Sequence, residues 1–116
     1  MKPESMDKLF HALASGARRR MLDIVRERPG ASVAEVSRYF DVSRIAVMKH
    51  LAVLEDAGLI VSRKEGRTRH LYFNVVPIQQ IYERWSSEYS AMWAETLTTF
   101  KHRLEQDNDK KTQGES

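Results

Sequence analysis

No cysteine occurs among the 116 residues. That single absence excludes disulfides, thiolate metal sites, cysteine nucleophiles and thiol redox sensing, and it suits a cytosolic protein. The first residues, Met1 to Met6, are short and polar with no apolar stretch behind them, so no secretory leader is expected. No apolar run approaches the roughly 18–20 residues that span a bilayer. The expectation is therefore a soluble, cytoplasmic protein with no membrane partner. Internal repeats are missing too, as are a Gly-rich phosphate loop, a Ser-His-Asp arrangement and metal-hydrolase spacing. Nothing points to an enzyme, a cofactor or a catalytic residue.

What is present is modest in size and mildly basic. The length suits one domain of roughly 100–150 residues, and 41% hydrophobic residues can supply one core. The formal net charge is +3 and the pI about 9.3. A basic balance favours an anionic partner, and where the charge sits says more than its total.

Met6, Leu9, Phe10 and Leu13 follow helical spacing. Ser15-Gly16 ends that helix, and a second follows with Ala17, Met21, Ile24 and Val25 on one face. Pro29-Gly30 closes the second helix. Ser32-Val33-Ala34-Glu35 is a capping box, in which Ser accepts from the third helical N–H and Glu reaches back. It opens a short third helix carrying Val36 and Phe40. Asp41-Val42 makes a tight turn, Ser43 caps a fourth helix with Val47, Leu51 and Leu54 inward, and Gly58 stops it in a left-handed conformation.

The period then changes. Leu59–Lys64 and Arg69–Asn74 read as two short strands around a Glu65–Thr68 loop. Pro77 sits in the first turn of a last helix. Its apolar stripe is Ile78, Ile81, Tyr82, Trp85, Tyr89, Met92, Trp93, Phe100 and Leu104. From Pro77 to Glu105 this helix would run about 40 Å, unless Ser86-Ser87 interrupts it. The expected architecture is mainly α with a small β-hairpin, a winged helix-turn-helix with a long C-terminal dimerisation helix. The domain is expected over residues 1–105, with a disordered polar tail over 106–116.

Two short helices joined by a tight turn, then a hairpin, form the pattern of a DNA reader. At about 100° per residue, Val47, Leu51 and Leu54 share one face of the fourth helix. Arg44, Ile45, Met48 and Lys49 share another, about 120° away. One face anchors and the other presents. Arg44 and Lys49 suit guanine or phosphate, whereas Ile45 and Met48 can meet only thymine methyls or fill space. Arg63, Lys64, Arg67 and Arg69 crowd the hairpin against Glu65, a positive patch suited to phosphates, with Arg67 or Arg69 entering a minor groove. Glu55 and Asp56 make the far half of the fourth helix acidic, as expected of a helix that enters a groove N-terminus first. The DNA-contacting set is thus Ser43, Arg44, Ile45, Met48, Lys49, Arg63, Lys64, Arg67 and Arg69, together with Arg18 from the second helix. The run Arg18-Arg19-Arg20 also has a plainer reading as a solvated helix face.

The segments Ser43-Arg44-Ile45-Ala46-Val47-Met48-Lys49-His50-Leu51 and Val53–Leu59 resemble the recognition helix of ArsR-type bacterial repressors. Arg18-Arg19-Arg20-Met21-Leu22, Gly66-Arg67 and Tyr72-Phe73-Asn74 are similar to that family's second helix and wing. The resemblance runs from about Met6 to Leu104. It departs at Asp41, where the family commonly has Gly, and Asp tolerates a left-handed turn. It departs again at Met48, where many members have Ser. The resemblance implies a repressor of transcription that binds double-stranded DNA as a homodimer, on a pseudo-palindromic operator. It implies a dimer interface of Leu9, Phe10, Leu13, Trp85, Tyr89, Met92, Trp93, Phe100 and Leu104. The long stripe agrees, since a small domain does not need it for its own core. The family's metal sites are not expected. One needs cysteines. The other would place His102 and Glu105 opposite Tyr89 and Ala91, which cannot hold zinc.

Plainer readings stand beside these. His50 flanks the buried face and reads as packing; His11 and His70 read as surface or DNA-contacting. The aromatic stripe is more often core or interface than a ligand pocket. Two other functions stay open: a winged-helix protein-interaction module, supported by Ile45 and Met48 alone, and a sensor of a metal or of an unidentified small-molecule inducer held near Trp85–Trp93.

Overall fold

A computed structural model describes the backbone of residues 1–114 and the side chains of residues 1–86 and 92–108. Each helix begins where a residue can satisfy its orphan N–H groups. Pro3, which has no N–H to lose, opens α1 (Pro3–Leu13). Ser15 caps α2 (Gly16–Glu27) by accepting from the Arg18 N–H. Ser32 caps α3 (Val33–Ser37) from the Glu35 N–H at 3.1 Å, and Ser43 caps α4 (Arg44–Asp56) from the Ala46 N–H at 3.1 Å. Gly58, at φ +76°, ends α4. The Leu59 N–H returns to the Leu54 carbonyl at 3.0 Å, closing a Schellman motif.

Strands β2 (Ile60–Glu65) and β3 (Thr68–Phe73) form the hairpin. They pair up to Glu65↔Thr68, so the loop is the two residues Gly66-Arg67 rather than four. Positive φ at Gly66 alone, +64°, is the pattern of a type II′ turn, whose twist suits a tight hairpin. A third strand, β1 (Ala31–Ser32), was not expected; it adds to β3 in the order β1-β3-β2, all antiparallel. Among the described residues only glycines take positive φ. The turn before α4 therefore forms without left-handed geometry at Asp41.

The core gathers one face of each element. Leu9, Met21, Val25, Val36, Val47, Leu54, Leu59 and Leu71 are fully enclosed, and no buried polar residue occurs among the described ones. Leu54→Ala would leave a cavity that its neighbours can only partly fill. We expect a loss of about 2–5 kcal/mol, measured as a shift in the denaturant midpoint at unchanged slope. Leu9, expected at a dimer interface, is a core residue at 1% exposure. Helix α1 carries two apolar faces, and Leu9 with Ala12 is the one turned inward.

Helix α5 (Val76–Gly114) starts from Asn74, whose side-chain oxygen accepts from the Val76 N–H at 3.2 Å. Ser86 does not break it; its hydroxyl donates back to the Tyr82 carbonyl. The helix continues past Glu105, where the polar tail was expected to start, since nothing between there and Gly114 removes a backbone donor. The chain divides into two units, Met1–Gln80 and Ile81–Ser116. No helix among the described residues is long and apolar enough to cross a membrane.

Candidate nucleic-acid interface

The two faces of α4 separate as its periodicity requires. Val47, Leu51 and Leu54 are buried, while Ile45 is 67% exposed and Met48 47%. Arg44 and Lys49 are exposed beside them. Two large apolar side chains held in water between two cations are costly as plain surface and useful against a partner with apolar groups. The Ser43 oxygen is occupied as the cap, but its O–H can still donate.

A cleft of about 270 Å³ opens between the start of α3, the first two turns of α4 and the hairpin. Arg44, Met48, Arg67, Thr68 and Arg69 line it. The structure thus brings the presenting face and the wing tip to one recess. No ion pair or side-chain hydrogen bond engages the head groups of Arg44, Lys49, Arg63, Lys64 or Arg67 among the described residues. These groups are available to an anion.

The register sorts the wing cations. Cross-strand partners share a face, so Ile60, Ser62 and Lys64 lie with Phe73, Leu71 and Arg69. Buried Ile60 and Leu71 mark this as the inward face, with Lys64 and Arg69 at its outer end. Arg63 belongs to the opposite face with Val61 and Tyr72, and it lines a separate recess there.

Two residues expected at DNA, Arg18 and Arg69, have partners within the chain. Arg18 is spent on packing: its Nε donates to the Ala12 carbonyl at 2.9 Å, one Nη to the His11 carbonyl at 2.8 Å, and the other faces His50 Nδ1 at 3.4 Å. Arg19 donates to the Leu13 carbonyl at 2.6 Å. Arg18 and Arg19 therefore close the C-terminus of α1, where orphan carbonyls need donors, whereas Arg20 lies over the Phe40 ring. Arg69 is likewise committed, with one Nη bonded to Glu55 Oε1 at 2.5 Å and to Ser62 Oγ at 2.9 Å. Neither partner is adjacent in sequence, so local patterning shows the cation and not its mate. The acids at the far end of α4 are both paired, Glu55 with Arg69 and Asp56 with Lys8 at 3.3 Å.

Two of the four histidines have structural roles. His50 is half-buried against Arg18, and His70 Nδ1 lies 2.8 Å from the Gly30 carbonyl, to which it can donate. No group of three or more His, Cys, Asp or Glu placed to hold a metal occurs among the described residues.

The expected dimer residues fall into three groups. Leu9 is internal and Leu13 half-buried, whereas Phe10, Trp85, Met92, Trp93, Phe100 and Leu104 are all exposed. Tyr89 lies outside the residues whose side chains are described. Leu97 was missed. It is exposed on the same stripe, four residues after Trp93, and that spacing alone could have found it.

A family model described as a helix-turn-helix domain matches residues 13–63. An uncharacterized HTH-type transcriptional regulator of Bacillus subtilis (strain 168), YuzN, is 38% identical over 85 residues, covering 68% of this chain and 92% of the relative. The HTH-type transcriptional regulator Rv2034 of Mycobacterium tuberculosis is 30% identical over 105 residues, covering 90% and 94%. A crystal structure of an ArsR family transcriptional regulator superposes with a TM-score of 0.67 at 34% identity, over 81% of this chain and 95% of that one.

Proposed function

The chain belongs to the ArsR family of winged helix-turn-helix regulators, a DNA-binding regulator of transcription, and from that membership we propose that it is a repressor acting as a homodimer. The observation that carries this is the pairing of one exposed recognition face with one uncovered apolar stripe. Arg44, Ile45, Met48 and Lys49 supply the first, and Trp93, Leu97, Phe100 and Leu104 the core of the second. A second copy of the chain covers the stripe, and two recognition helices then read half-sites about one helical turn apart. Repression follows from occupancy, because a dimer filling two successive major grooves excludes other proteins from that promoter. The work is placed in the cytoplasm, where bacterial promoter DNA lies.

The roles divide by chemistry. Arg44 is a base reader at the helix start, where side chains reach base edges. Lys49, Lys64, Arg63 and Arg67 neutralise phosphates, and the Ser43 O–H donates to one. Ile45 and Met48 pack on thymine methyls. An operator in which deoxyuridine replaces the contacted thymidines should bind about 4-fold more weakly per methyl removed, given about 0.8 kcal/mol for each buried carbon. Ile45→Ala and Met48→Ala should erase that difference; if they leave it intact, these side chains do not read methyls.

The proposal is tested by selecting bound fragments from genomic DNA, footprinting them and transcribing from them in vitro. Two protected half-sites a turn apart, with transcription falling as they fill, are expected. A single protected half-site would reject the dimer, and transcription that rises on filling would reject repression. Recovery of a partner protein with no bound DNA would instead favour an interaction module.

A further inference from the structure

The Arg69 guanidinium joins two elements that the chain connects only at their base. At that base, Asn74 donates its backbone N–H to the Leu59 carbonyl at 2.8 Å and its side-chain Nδ2–H to the Gly58 carbonyl at 2.9 Å. Farther out along the hairpin, the link between wing and recognition helix is Arg69 on Glu55, braced by Ser62. The register makes this link electrostatically pointed. Lys64 and Arg69 are direct cross-strand partners on one face, and like charges so placed repel. Glu55 stands against that repulsion from α4. Arg69 also lines the cleft that holds Arg44 and Arg67, so its position bears on the spacing between them.

We infer that Arg69 is a positioning residue: held by Glu55 and Ser62, it fixes the wing against α4 so that Arg67 and Arg44 reach DNA at a preset separation. The pair is partly exposed, and such pairs add little to folding stability. Its effect falls on the geometry with which two contact groups meet one ligand. Glu55, an acid near a DNA-binding surface, then strengthens specific binding, against what its charge alone predicts.

That sign is the test. The inference rests on the reading of α4 and the wing as the DNA interface, and it uses the selected operator with fluorescence anisotropy. Glu55→Gln raises the net charge by one, yet should weaken operator binding about 1.5- to 5-fold, the range of an exposed ion pair. It should not weaken binding to scrambled DNA. Arg69→Gln should weaken operator binding equally, with the slope of log K against log salt unchanged, because no phosphate contact is lost. The charge swap Glu55→Arg with Arg69→Glu should recover operator binding to within about 2-fold of the unmodified chain, since contacts that act as one unit are non-additive. Hydroxyl-radical footprints should keep the wing's protection but displace it in each single variant, and return it to its original position in the swap. If Glu55→Gln binds the operator as well or more tightly, or if the swap stays defective, Arg69 is a phosphate contact restrained by Glu55 and the inference is wrong. A melting curve accompanies each variant; should a single variant unfold, the folded swap decides alone. An unmodified chain with no operator preference would fail the functional reading instead, so the two failures are distinguishable.

Discussion

Trp93→Glu is expected to sediment as a monomer of 13.5 kDa at micromolar concentration, and the unmodified chain is expected to sediment at twice that mass. Trp93 is 62% exposed at the centre of a stripe that includes Met92, Leu97, Phe100 and Leu104. Aromatic side chains at the middle of an interface carry a disproportionate share of its free energy. A carboxylate there must be stripped of water against an apolar surface. The consequence for DNA is larger than the loss of one contact. Two linked recognition helices bind as one ligand, with the second half-site meeting a local concentration of about millimolar. Unlinking them should cost about 100-fold or more in operator affinity. The fold of each chain should survive, because the enclosed core residues among those described lie between Leu9 and Leu71. Far-UV circular dichroism should show an intact fold alongside the monomer. A dimer of normal operator affinity would move the interface away from α5.

Arg44→Ala is the second large effect. Its guanidinium is exposed on the first turn of α4 and lines the cleft beneath the wing tip. A bidentate arginine–guanine contact is worth about 1–3 kcal/mol of discrimination, so operator affinity should fall about 5- to 150-fold, with specificity relaxed at one base pair per half-site. Arg67→Ala offers the contrast. A phosphate contact at a loop tip should weaken all sequences alike and reduce the salt slope by about 1 per protomer. If Arg44→Ala weakens operator and scrambled DNA equally, Arg44 is a phosphate contact as well.

The parts of this molecule governed by near neighbours were legible in its sequence. Val47, Leu51 and Leu54 share a helical face by spacing alone, and the opposite placement of Ile45 and Met48 follows from the same period. Ser32, Ser43 and Gly58 mark helix ends because capping is settled within four residues. What depended on distant partners was not legible. Arg69 looked like a free cation because its partner Glu55 is 14 residues away, and Arg18 because its acceptors are the backbone carbonyls of His11 and Ala12 across the turn between two helices. Strand β1 is two residues long and exists only by pairing with Leu71 and His70. Leu9 and Phe10 are adjacent apolar residues on one helix. Which of them turns inward is decided by the helices packed against α1, and the answer is Leu9. Helix α5 runs beyond its apolar stripe, because helix propagation needs only residues that do not break it.

The most direct test of the account titrates the chain onto a fluorescent operator duplex and a scrambled duplex across a salt series, with stoichiometry fixed at high protein concentration. Two chains per operator, clear preference over scrambled DNA, and affinity for both that falls steeply with salt are expected. Equal affinity for the two duplexes, or one chain per operator at saturation, would contradict the account.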